Sequence, residues 1–180
     1  VRDGSSLWSE KFDASFTDIF DVQDTISEQV TRALMLKLSG EERKLLTKRH
    51  TENTEAYRLY LKGRYCWNKR LAEGLKKASE YFQLATDLDP EYALAYVGTA
   101  DCYNMLVVYG ISQPKDGFPK AKEAALKALS IDGELAEART SLAFIKHRWD
   151  WERSDAEKEF QLAIKYKPAY APAHQWYSSY

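Results

Sequence analysis

Asp87 and Asp89 are the first residues whose type and spacing suggest chemistry, a pair of carboxylates suited to general acid–base work. They close a helical pattern beside Pro90, where solvated turn residues are the plainer reading. Asp101, on a tyrosine-rich segment, has the type of a base, and equally that of a groove residue or a polar group satisfied by its neighbours. "WDW" at Trp149–Trp151 reads as an aromatic cage or as a turn whose indoles pack between helices, and the turn is expected. Cys66 and Cys102 form no C-x-x-C pair and read as free, buried thiols of a reducing compartment. His50, His147 and His174 have no metal-ligand spacing. The sequence contains no phosphate loop, dinucleotide fingerprint, nucleophile elbow or H-E-x-x-H. We expect no catalytic residue, cofactor, metal or small-molecule substrate, and look for a binding surface instead.

The elements that would position such a surface follow from composition and period. A hydrophobic share of 44% can build a core, and a net charge of −1 gives no global field towards nucleic acid or an acidic membrane. The charge is uneven: residues 1–28 carry a net −5 and residues 43–77 a net +8. No apolar run is long enough to span a bilayer, so membrane insertion is not expected. The chain starts without methionine and stops inside a helical pattern, which reads as a fragment of a larger protein, expected in the cytoplasm, or in the periplasm given an upstream membrane span.

Residues 5–13, "SSLWSEKFD", alternate like a half-buried strand. Val22, Ile26, Val30, Ala33, Leu34 and Leu38 form one stripe of a helix over 21–38. Ser39 with Glu42 can box the start of a short helix to about Arg49, and Asn53 can cap the helix that begins at Thr54. From Thr54 only helices are convincing. Their expected spans are 54–69 and 71–87, 91–109 and 116–131, 135–148 and 154–166, then 170 to the end.

The paired helices share a spacing. Ala78, Phe82, Ala85 and Pro90 recur as Ala156, Phe160, Ala163 and Pro168, and as Ala121, Ala125, Ala128 and Gly133. Small residues let backbones approach, a ring fills the gap between them, and proline ends the unit. In the second repeat Tyr96, Thr99, Ala100 and Tyr103 add a large–large–small–large set. This pattern resembles the tetratricopeptide repeat over about 54–180. The resemblance implies an all-α, right-handed superhelical stack of hairpins, with three repeats and the first helix of a fourth. The first hairpin is too long around "CWNKRLAEG", and the second around "VVYGISQPKDG".

"GSSLWSEKFDASFTDIFDVQDTISEQVTRAL", with "TENTEAYRLYLKGRYCWNK" and "RWDWERSDAEKEF", resembles bacterial multidomain signalling proteins. There a TolB-like α/β domain precedes the repeats, often behind a DNA-binding, cyclase or kinase module. The resemblance implies a domain remnant at 1–40, a short helix and linker at 41–53, and the array at 54–180.

In such arrays the first helices line the concave side. Counting from Thr54, the groove-facing residues are Arg58, Lys62, Tyr65 and Lys69 in the first repeat, on one helical face. They continue as Leu94, Val97, Asp101 and Asn104, then as Glu137, Thr140, Phe144 and His147, with Arg148 alongside. A plain solvated face is the alternative for the basic stripe. Ala56, Leu59, Tyr60, Gly63 and Trp67 make a rival buried stripe that still leaves Arg58, Lys62, Tyr65 and Lys69 outward. Some family members clamp a peptide's terminal carboxylate with Lys, Asn and Arg. Here Gly98, Glu137 and Ser141 stand at the later clamp positions, so no such capture is expected.

The leading expectation is a non-catalytic scaffold that holds a protein or peptide inside a bacterial signalling or transcription-regulatory polypeptide. A sensor or dimerisation arm of a cyclase or kinase is the alternative, with a homodimer through the N-terminal strand. Nucleic-acid binding through residues 43–77 is the weaker third reading.

Overall fold

The computed structural model describes residues 50–180 and, apart from them, Ile26. The strand expected at 5–13, the rest of the helix at 21–38, the short helix to about Arg49 and the TolB-like resemblance lie outside the described residues. The described chain is all helical, without a strand. Its seven α-helices are α1 (Thr54–Asn68), α2 (Ala72–Leu88), α3 (Ala93–Val108), α4 (Pro114–Ile131), α5 (Ala136–Ile145), α6 (Arg153–Tyr166) and α7 (Ala171–Ser178).

Local chemistry sets the ends. The Asn53 side chain accepts the backbone N–H groups of Glu55 and Ala56 at 3.1 and 3.0 Å, which caps α1. Its amide also donates to the Leu88 carbonyl at 3.2 Å, tying the start of α1 to the end of α2. After α2 and after α4 the chain turns on an aspartate. Asp89 accepts the Glu91 N–H at 3.0 Å and Asp132 accepts the Glu134 N–H at 3.1 Å. Gly133 therefore follows the same kind of turn that Pro90 follows, because the aspartate side chain and not the proline ring closes it. Asp89 also takes the Thr51 hydroxyl, and Asp87 takes the Gln83 amide at 2.9 Å. The paired carboxylates are turn and helix-end acceptors.

The recurring small and large residues are where the helices meet. Ala78, Phe82, Ala85, Ala121, Ala125, Ala128, Ala156, Phe160 and Ala163 are all buried. Phe82 of α2 lies between Gly63 of α1 and Gly98 of α3. A Cβ on either glycine would stand 2.5 or 2.6 Å from its ring. In the middle hairpin Ala125 replaces the ring, and Leu142 of α5 packs into that cluster with Ala100 and Ala124. Consecutive helices pack as antiparallel hairpins, and each odd helix also touches the next odd helix, α1 on α3, α3 on α5 and α5 on α7. The result is a tetratricopeptide-like stack with the odd helices as one continuous layer.

Two expectations are corrected here. The fifth helix does not run to residue 148. It ends at Ile145, and a π-helical turn over Lys146–Asp150 comes next. Nor do both indoles of "WDW" pack between helices: Trp149 lies 5.7 Å from the Phe118 ring, but Trp151 is 74% exposed. Trp151 adopts the left-handed backbone, φ 60°, that lets the chain leave the π turn, and this aims its side chain outward.

Replacing Phe82 by Ala should destabilise the chain by about 3–5 kcal/mol. Gly98→Ala should cost about 1–3 kcal/mol by overpacking. Urea unfolding checks both, and Phe82→Leu should recover part of the Gly98→Ala loss, because the two side chains compete for one space.

Candidate functional site

The layer of odd helices carries the polar groups that the sequence singled out. The register of α1 is set by its buried residues, Ala56, Gly63 and Trp67. That rival stripe turns Tyr60 and Arg64 towards α3. Arg64 reaches Asp101 with Nη1 to Oδ2 at 3.4 Å. The Ser141 hydroxyl of α5 donates to the other Asp101 oxygen at 2.5 Å. One buried carboxylate thus links three successive odd helices.

Burial pushes the Asp101 carboxyl above its ordinary value, against the pull of the Ser141 bond and the Arg64 charge. Tyr60, desolvated beside Arg64, is pushed up to about 12. Burial also raises Tyr92 and Tyr170, and the Asp101 and Glu137 charges add to the rise at Tyr170. Tyr60 sits 5.3 Å from the Tyr92 ring and 5.7 Å from Phe82. The Cys102 thiol is buried and pushed up by desolvation, the reverse of an activated nucleophile. Cys66 is half-buried, and both thiols are free. Among the described residues no cluster of three side chains could hold a metal ion.

One turn beyond Arg64, Asp101 and Phe144 stand Trp67 of α1, Asn104 of α3 and His147 of the π turn after α5; Asn104 and His147 are at equivalent places, and Trp67 is two residues further along its helix. Each holds a buried polar atom without a hydrogen bond: the Trp67 indole N–H, both ends of the Asn104 amide, and His147 Nδ1. Asn104 is fully buried. Trp176 of α7 closes on this side, 4.9 Å from the Phe144 ring.

The expected groove residues fall into two groups. Val97, Asp101, Asn104, Thr140 and Phe144 lie in the layer and are buried. The Thr140 hydroxyl donates back to the Ala136 carbonyl at 2.8 Å. Arg58, Lys62, Tyr65 and Lys69 are exposed, as expected, but about half a turn around α1 from Tyr60, Arg64 and Trp67. They do not face Asp101. The physical reason is that the apolar stripe, and not the count from Thr54, fixes rotation about the helix axis. Arg58 instead pairs with Glu55 at 3.3 Å, and Lys69 lies over Tyr65 at 4.4 Å. Arg148 is exposed, over Phe144 at 5.6 Å. Arg64, Ser141 and Trp67 were missed as members of this polar row. The Ala56–Gly63–Trp67 stripe was the signal that places Arg64.

No family model matches the chain. A Rhizobium meliloti (strain 1021) protein provisionally named adenylate cyclase 3 is 27% identical over 145 residues, 78% of this chain and 24% of its own length. The transcriptional regulator HilA of Salmonella typhimurium is 28% identical over 87 residues, 48% of this chain and 16% of its own length. The chain spans only a small part of each relative. Among solved structures, the first tetratricopeptide domain of Spaghetti (RPAP3), bound to the HSP90 peptide SRMEEVD, aligns with a TM-score of 0.57. The identity is 15%, over 73% of this chain and 94% of that one. The likeness is one of fold.

Because Asp101 holds its proton more tightly folded than unfolded, it adds stability as pH falls. From about pH 7 towards about pH 4, wild type should gain urea resistance relative to Asp101→Asn. A wild-type advantage that grew with rising pH would mean that Arg64 and Ser141 outweigh burial.

Proposed function

We propose that this chain is a non-catalytic protein–protein interaction module of a bacterial signalling or transcription-regulatory polypeptide, binding a partner segment along the odd-helix layer. The observation that carries this reading is the set of buried hydrogen-bonding groups left without partners on neighbouring elements of this layer, Trp67 on α1, Asn104 on α3 and His147 in the π turn after α5. A partner's backbone needs such groups, and a core that only stabilises itself does not. Trp67, Asn104 and His147 would meet that backbone once Trp176 moves aside, and Arg64 would flank it. The basic strip Arg58, Lys62, Tyr65 and Lys69 is then a second contact face on the far side of α1. The fold neighbour, which binds a peptide, supports the class of partner. The regulator HilA supports the setting. Among the described residues no helix is long and apolar enough to cross a membrane.

A photo-crosslinking residue at position 64 or 137 should capture a bacterial protein that excess unlabelled chain competes away. The same residue at position 126, on the outer face of α4, should not. Equal capture at all three positions, or none that saturates, would reject the reading.

The adenylate cyclase relative favours a second reading, a sensor or dimerisation arm of a cyclase. Sedimentation of the chain should then show a concentration-dependent dimer. A monomer throughout dismisses the dimerisation arm.

A further inference from the structure

The turns inside the hairpins differ in kind from those between them. Each passes through left-handed backbone: Arg70 at φ 55°, Gly110 at φ 68° and Trp151 at φ 60°. The odd helices run parallel to one another, so these turns share one end of the stack. Contacts join them. Trp67 clusters with Met105 and Leu106, near the first and second turns. Phe118 packs with Val107 and against Trp149, near the second and third.

Each turn exposes a large apolar side chain: Leu71 at 63%, Tyr109 at 47% and Trp151 at 74%. The turns between hairpins expose only Leu88 in this way. The same end carries cations held by rings. Lys69 lies over Tyr65 at 4.4 Å, Arg70 over Trp67 at 3.6 Å, Lys120 over Tyr103 at 5.4 Å and Arg148 over Phe144 at 5.6 Å. Among the described residues none of these four pairs with a carboxylate within 4.0 Å. A ring orients a cation without cancelling its charge, so all four remain available to an anion.

We propose that this row of turns is a second docking edge, distinct from the odd-helix layer, for a segment of a partner protein that mixes carboxylates with apolar side chains. Charge selects the occupant. Four unneutralised cations call for carboxylates, and Leu71, Tyr109 and Trp151 between them call for apolar anchors. Glu73, Asp116 and Glu152 share the edge, so its field is not of one sign. A polyphosphate strand or an anionic bilayer would meet repulsion there, whereas a mixed protein segment can place its own side chains around them. Three turns at helix-packing distances of about 10 Å span about 20 Å, the length of six or so extended residues.

The test titrates the whole 180-residue chain into a fluorescein-labelled peptide of about twelve residues in which Glu alternates with Leu and Ser. Anisotropy should rise to saturation, and a peptide with Lys for Glu should not bind. Arg70→Glu with Arg148→Glu, and separately Trp151→Ser, should each weaken binding by roughly tenfold or more. All three side chains are exposed, so circular dichroism should show the fold unchanged. Leu126→Ser, on α4, and Leu88→Ser, at the opposite end of the stack, should leave peptide binding intact. Equal binding of the Lys peptide, no saturable binding of the Glu peptide, or indifference to both edge variants would overturn the proposal. So would phosphatidylserine vesicles or a single-stranded oligonucleotide binding in place of the peptide.

Discussion

Everything in the stack depends on how closely α1 and α3 can approach either side of one ring. Phe82 fills the space between Gly63 and Gly98, and a methyl group on either glycine would overlap it. Close packing at native density makes that space intolerant of both excess and deficit. The contact sets the spacing of the two odd helices. With that spacing set, Arg64 can reach across to Asp101, and α5 can bring Ser141 to the same carboxylate. The third hairpin repeats the arrangement with Phe160 buried and stacked on Tyr177 at 5.4 Å. The middle hairpin reaches the same end differently, by giving the space to Leu142.

The two sides of this architecture treat polar groups in opposite ways. In the odd-helix layer desolvation dominates, raising Asp101, Tyr60 and Tyr170 above their ordinary values. A charge there is held only by partners placed within hydrogen-bond reach. At the turns inside the hairpins the cations lie over rings and stay exposed. The first arrangement gives rigidity and orientation. The second leaves charge available at the surface, beside apolar side chains that the left-handed turns hold outward. Binding modules need both, a scaffold that does not rearrange and a surface that is not self-satisfied.

Insertions explain why the first two turns diverged. A hairpin with its minimal connection has no residues left over for display. The longer stretches "CWNKRLAEG" and "VVYGISQPKDG" lie where α1 and α3 end. The third connection, "HRWDWER", has no such added length and instead leaves α5 through a π turn continuous with that helix.

The sequence by itself determined the helices and their pairing, because alanine, phenylalanine and turn residues at fixed offsets act locally and through neighbours close in the chain. Asn53 as a cap and Asp89 as a turn acceptor are of the same kind. Counting groove positions of the repeat from Thr54 also reached Asp101 and Asn104, which lie buried in the odd-helix layer. The apolar stripe of α1 already left Arg58, Lys62, Tyr65 and Lys69 outward in the sequence, and the tertiary structure alone decided which residues of α1 meet α3. The ion pair of Arg64 with Asp101, the Ser141 bond and the outward Trp151 depended on that choice and on the π turn. They join residues whose proximity comes from stacking, which no local pattern encodes.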